Sequence, residues 1–146
     1  MAAASAGKES FDFDACVEAA AKNLHNAQRA PRLLPEGGFV PWMKPDGLGG
    51  HVDIANTEYE NLPPLWQTDN RAAAVSAVTD VLRTPNADVE LLAAAVHAAW
   101  LTRNAGRALG EHLGMYEDLS ESEKQKDRAV VVAALAAVNC YEQPPA

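Results

Sequence analysis

The stretch Tyr116-Glu-Asp-Leu119-Ser120-Glu-Ser-Glu123-Lys-Gln-Lys126-Asp127-Arg128-Ala-Val-Val-Val132 decides the fold. It opens with a short extended lead, Tyr116 to Leu119. Ser120-x-x-Glu123 then reads as a capping box, in which the hydroxyl and the carboxylate each satisfy a backbone N–H that a helix start leaves without a partner. Downstream, Val130, Val131, Ala134, Leu135 and Val138 recur at helical spacing and predict an amphipathic helix over about Ser120–Asn139. Its first two turns are charged, and Asp127 and Arg128 stand where the polar turns give way to apolar ones.

The stretch has an echo. Tyr59-Glu-Asn-Leu62, Asn70-Arg71-Ala72 and Val75 match Tyr116-Glu-Asp-Leu119, Asp127-Arg128-Ala129 and Val132, each pair 57 positions apart without a gap. Upstream, the run around Leu24-His25 and Gln28 sits over Val96-His97 and Trp100. The chain therefore reads as two copies of helix, loop, Tyr-Glu-x-Leu lead, helix. The loops differ: His25 to Tyr59 spans 34 positions and His97 to Tyr116 only 19. Two-copy self-similarity of this kind predicts a pseudo-twofold helical core with a groove between the halves.

The remaining helices follow from their punctuation. Asp12 or Ser10 can cap a first helix to about Ala30, with Phe13, Cys16, Val17, Ala20, Ala21 and Leu24 on one face, stopped by Pro31 and Pro35. Pro63-Pro64 opens a second, to about Leu82, and Thr84-Pro85 ends it. Asn86 can cap a third over about 87–104, bearing Val89, Leu92, Val96, Ala99 and Trp100. Gly106 and Gly110 bracket a short helical turn. The Gly/Pro-rich segment Arg32–Asn56 is long for a featureless connection. It is either an ordered loop with a small hairpin, packed through Phe39 and Trp42, or a binding flap. The expected fold is mainly α, two pseudo-twofold related helical hairpins with long loops and little or no β. Residues 1–10 are expected to be a disordered tail, 11–84 the first copy, 85–140 the second and 141–146 coil.

Composition agrees and excludes. Of the 146 residues 48% are hydrophobic, but much of this is alanine and aromatics are few, which favours close-packed helices over a sandwich or barrel. A net charge of −8 supplies no basic surplus for a phosphate backbone, so no nucleic-acid partner is expected. No stretch is long enough to cross a bilayer and the N-terminus lacks the apolar core of a signal peptide, so a cytoplasmic location with no membrane partner is expected. Cys16 and Cys140, at no metal-ligand spacing, read as free thiols.

His97-x-x-Trp100, the short loop, Tyr116-Glu-Asp-Leu119 and Glu123-Lys-Gln-Lys126-Asp127-Arg128 resemble the RyR domain, the repeat named after ryanodine receptors and also found in bacterial and phage proteins. Leu62-Pro-Pro and Asp69-Asn70-Arg71-Ala72 resemble its degenerate partner repeat. The resemblance covers about residues 14–138 and is stronger in the second copy. That copy lacks the Gly-Trp-x-Tyr-Gly hairpin of the receptor-type repeat, and its loop is similar to the shorter phage-type version. In the first copy Gln28 stands where the motif has Trp. The resemblance implies an adenine-like ring stacked between the two repeats. Only Trp100 carries over as a stacking face, so a sandwich requires Trp42 or Trp66 as the other.

Residue chemistry leaves two readings of each candidate. His97 and Trp100 lie three apart and share a helical face; Trp100 is either a base-stacking surface or a core plug. His25 and His97, at matched positions, are expected to orient the Tyr59 and Tyr116 leads by a hydrogen bond rather than to bind metal. Arg71 and Arg128, preceded by Asn70 and Asp127, either grip phosphate bidentately or pair with a local acid such as Asp127, Glu60 or Glu117. Arg29, Arg32, Arg103 and Arg107 sit at loop-proximal helix ends where a phosphate could be met. No nucleophile–base arrangement stands out, and Gly47-Leu-Gly-Gly50 follows no strand-like run and precedes no lysine, so neither an enzyme nor a phosphate loop is expected. No cofactor is called for.

Two functions follow. The first is a non-enzymatic module that binds a small nucleotide or nucleotide-derived signal between the copies, by sequestration or as a sensor. Given the family and the short chain, a phage sponge against host nucleotide signalling is one form of it. The second is a structural adaptor that forms a homo-oligomer through its alanine-rich helices. The surroundings of Trp100 discriminate them: a cleft between the copies favours the ligand, full burial among alanines the adaptor.

Overall fold

The structure, a computed structural model, describes residues 11–106 and 114–142. Among the described residues the α-helices are α1 (Phe13–Arg29), α2 (Pro64–Arg83), α3 (Val89–Arg103) and α4 (Glu121–Glu142). Between α1 and α2 lies one two-stranded antiparallel hairpin, β1 (Met43–Pro45) and β2 (His51–Asp53). The mainly α expectation holds, with strand confined to the long loop. The expected tail 1–10 and the turn beyond Gly106 lie outside the described residues. So does the end of the expected C-terminal coil, into which α4 continues as far as Glu142.

The helix starts follow local chemistry. Asp12 Oδ1 accepts from Ala15 N at 3.0 Å, and Ser120 Oγ accepts from Glu123 N at 3.2 Å. The start of α3 corrects the sequence reading: the cap is Asp88, which accepts from Leu91 N at 2.9 Å, and not Asn86. Thr84 to Ala87 close a turn, with Ala87 N donating to Thr84 O, so the chain is free to enter a helix only after it.

Alanine sets the packing distance. Ala20 and Ala21 of α1, Ala74 and Ala77 of α2, Ala93 of α3, and Ala134 and Ala137 of α4 are all buried, with Val17, Leu24, Val78, Leu92, Val96 and Val131 filling between them. Both α1 and α3 pack against α2 and α4, and α2 against α4. Exchanging the halves maps α1 onto α3 and α2 onto α4 and so reproduces this pattern.

The long loop is a folded strap. Asp46 Oδ1 accepts from Leu48 N and Gly50 N, closing a tip where Gly47 and Gly49 take positive φ. Asp53 Oδ1 accepts from Trp42 N at 2.9 Å and from Ala55 N at 3.1 Å, and Asp53 Oδ2 from Asn56 Nδ2 at 2.7 Å. These bonds, that from the Asn56 side chain first, hold the carboxyl below its usual range. They also hold the backbone of Trp42, whose side chain packs against the core.

Candidate functional site

The two copies build the same side-chain scaffold. His25 Nε2 lies 2.7 Å from Thr57 O and His97 Nε2 lies 2.7 Å from Gly114 O. A carbonyl can only accept, so both imidazoles carry their proton on Nε2 and orient the chain entering each Tyr-Glu lead. Burial is the main cause that holds the His25 pKa below its ordinary value. Tyr59 donates to Glu18 at 3.2 Å, and Tyr116 to Glu90 at 2.9 Å. Arg71 donates to Glu18 in turn, and Arg128 donates to Glu90 and Glu121. The Arg128 bond is the main cause that lowers the Glu90 carboxyl to about 2.

Each arginine therefore meets an acid on the preceding long helix, Glu18 or Glu90, and Arg128 a local one as well, Glu121, rather than Asp127, Glu60 or Glu117. Glu18 and Glu90 stand 72 positions apart, the same offset as His25 and His97, so extending the repeat upstream would have found them. The four buried or paired groups Tyr59, Tyr116, Arg71 and Arg128 lie outside the cleft described next.

That cleft, of about 270 Å³, opens between the halves. Its aromatic lining is Trp100 of α3 and Trp42 of the strap, with Gln28 of α1 beside them. Trp42 thus stands by the position where the first copy lacks its Trp. The Arg32 guanidinium lies 4.5 Å from the Trp42 ring centroid, and Lys44 Nζ 5.3 Å. The polar lining consists of Asp69 and Asn70 from α2, His97 and Arg103 from α3, and Glu123, Lys126 and Asp127 from α4. Asp127 Oδ2 is 3.7 Å from His97 Nδ1. A second chamber of about 160 Å³ lies under the strap, shares Gln28, Trp42, Asp69 and Asn70 with the first, and adds His25, Lys44 and Trp66.

Of the candidates read from sequence, the main cleft gathers Trp42, Trp100, His97, Asn70 and Asp127, and the second chamber holds His25. The sequence marks Asp69, Glu123 and Lys126 as parts of the helix-start motifs, not as lining residues. Asn70 is the informative residue. It is only 6% exposed, it faces both chambers, and no described residue hydrogen-bonds its side chain. Its counterpart Asp127 faces His97 instead. A buried amide normally finds a partner, and leaving one unmade costs about 1–3 kcal/mol.

Among the described residues no group of three or more His, Cys, Asp or Glu is arranged to hold a metal, and no helix is long and apolar enough to cross a membrane. No protein-family model, curated protein or solved structure matches the chain.

Proposed function

We propose that this protein is a non-enzymatic binding module that takes a nucleobase-containing ligand into the cleft between its halves. The observation that carries the reading is the Asn70 amide, buried without a hydrogen-bond partner among the described residues on the wall of a cleft lined by two indoles. An amide offers one donor and one acceptor in a fixed plane, the pattern that reads adenine N6 and N7 bidentately. An indole beside it supplies a stacking surface worth roughly 1–3 kcal/mol. Trp100 is partly exposed and lines the cleft rather than being sealed among alanines, which favours the ligand reading over the adaptor. The resemblance to paired RyR repeats points the same way. The protein acts by sequestering the ligand or by reporting its presence to a partner.

Calorimetry against adenine, guanine and cyclic nucleotides and ADP-ribose-like compounds tests this, with indole fluorescence as a second readout. Trp100→Ala is expected to weaken binding roughly tenfold to hundredfold. No heat from any compound, with fluorescence unmoved, overturns the reading.

The adaptor reading keeps one observation of its own. A shallow groove between α1 and α4, bounded by Ala27, Ala129, Val132 and Ala133, leaves Val132 57% exposed. Light scattering that gives a monomer at every concentration removes it.

A further inference from the structure

Resting on the cleft as the ligand site, we infer that the smaller chamber under the strap is its reading pocket, which takes the hydrogen-bond-donating edge of the ligand's ring and rejects a ring with no N–H. Two buried polar groups, His25 and Asn70, carry the argument. His25 is 3% exposed and lines this chamber. Its Nε2 proton is given to Thr57 O, so Nδ1 of the neutral ring is left as an acceptor. Burial, the main cause that lowers its pKa, favours that neutral form. In the second copy the equivalent atom, His97 Nδ1, looks at Asp127 Oδ2 from 3.7 Å. Position 127 matches position 70, so the repeat turns Nδ1 of His25 toward Asn70. No described residue donates to that nitrogen.

Where Asp127 meets His97 with a carboxylate, Asn70 meets His25 with an amide. The first copy thus presents two acceptors, His25 Nδ1 and Asn70 Oδ1, beside the Asn70 N–H groups. Such a set is satisfied by a ligand group that donates, an exocyclic amine or a ring N–H, next to one that accepts. The rest of the chamber suits a flat ring. Trp42 and Trp66 border it, with Lys44 Nζ 5.3 and 5.8 Å from their ring centroids. The Trp66 N–H is spent on Pro45 O at 2.7 Å, which leaves the carbon surface of that indole as wall. At about 160 Å³ the space is close to the roughly 150 Å³ that holds a benzene ring. Because Asn70 and Trp42 border both chambers, a base lying along Trp42 reaches from the main cleft into the smaller one.

The test is calorimetry of the full chain with two pairs of compounds that differ in whether the base has any N–H: adenosine against purine riboside, and inosine against N1-methylinosine, each also as its monophosphate. Where the parent binds, the donor-free analogue is expected to bind roughly tenfold more weakly or worse, because it leaves His25 Nδ1 and Asn70 Oδ1 unmet. His25→Gln keeps an N–H for Thr57 O and removes the ring acceptor. It is expected to bring the parent down to its analogue and leave the analogue unchanged, with a thermal melt to check folding. Nitrogen NMR of the wild type reads the ring without any variant. His25 Nδ1 is expected to be unprotonated and to move upfield when the parent is added, with His97 as internal reference. A donor-free analogue as tight as its parent, or an Nδ1 that is protonated or stays unmoved with any nucleotide that binds, overturns the inference while the ligand reading stands. Failure of these compounds and of the wider nucleotide panel overturns the ligand reading itself.

Discussion

Replacing Asn70 by leucine should make the protein more stable and abolish ligand binding. Leucine reproduces the branching of asparagine at Cγ, so it fits the same space without a polar atom. Three contributions set the magnitude. The buried amide has no partner to lose among the described residues, and removing such a group recovers part of a penalty of about 1–3 kcal/mol. Because Asn70 faces chambers of about 270 and 160 Å³ rather than packed atoms, the lower end of that range applies. Leucine also exceeds asparagine as a helix former by roughly 0.4 kcal/mol at this interior position of α2. The expected gain is about 1–2 kcal/mol, or roughly 3–8 °C in Tm for a chain of this length.

Urea denaturation with an unchanged slope, together with a thermal melt, measures it. Asn104→Leu is the control: Asn104 is 8% exposed, but its Nδ2 donates to Trp100 O at 2.9 Å, and the same substitution should cost about 1 kcal/mol there. A loss of about 1 kcal/mol or more in Asn70→Leu would show that Asn70 makes a structural hydrogen bond, and the case for a ligand-facing amide would fail. A gain in stability joined to a loss of binding is the pattern expected where a polar group is kept for function.

Three further outcomes are expected. The Glu90 carboxyl, lowered to about 2 by Arg128 and Tyr116 from an ordinary 4.5, contributes stability above pH 4.5 that is lost as pH falls toward 2. The difference in urea midpoint between wild type and Glu90→Gln should therefore be constant near neutrality and close over that acid window; a difference independent of pH refutes the assignment. Tyr59→Phe and Tyr116→Phe each remove one phenol–carboxylate hydrogen bond and should cost about 1 kcal/mol apiece. The two networks share no partner, so the double variant should show their sum within about 0.5 kcal/mol; a larger coupling in denaturation data refutes their independence. His25, depressed by burial, should titrate below 6.5 in an NMR pH series, and stability should fall as pH drops below 6.5, because the unfolded chain then binds the proton more readily.

The helices were legible because caps, prolines and apolar spacing are local signals. Pro64 opens α2, Asp12 and Ser120 open α1 and α4, and the predicted core of α1 is buried except for Phe13, which is half-buried. The start of α3 was misplaced because two capping residues, Asn86 and Asp88, compete within three positions, and the turn that decides between them is a backbone bond. Arg128 has one partner within reach of a local reading, Glu121, but Glu18 and Glu90 lie 53 and 38 residues from Arg71 and Arg128, beyond any local rule, yet the repeat offset encoded them. The cleft was the least legible part. That Trp42 reaches it depends on Asp53 and Asn56 folding the strap, and that Asn70 lacks a partner among the described residues is a fact of three dimensions.

A physical reason underlies that difference. Positions identical in both copies, His25 and His97, Tyr59 and Tyr116, Arg71 and Arg128, and Glu18 and Glu90, make the hydrogen bonds that build each half. The chambers are lined by His25 and His97 and by positions that differ between the copies: Gln28 against Trp100, Asn70 against Asp127, Asp69 against Lys126, and Trp66 against Glu123. A cleft on a pseudo-twofold axis with identical walls would present the same groups to both ends of a ligand. A nucleoside has a flat, apolar end and a polar or charged one, so it can be held in one orientation only if the walls diverge. Here α3 supplies the indole of Trp100 and the charge of Arg103, α2 supplies the amide of Asn70, and the strap supplies Trp42 beside Gln28. Identity between repeats marks the architecture, and the departures from it make the site asymmetric.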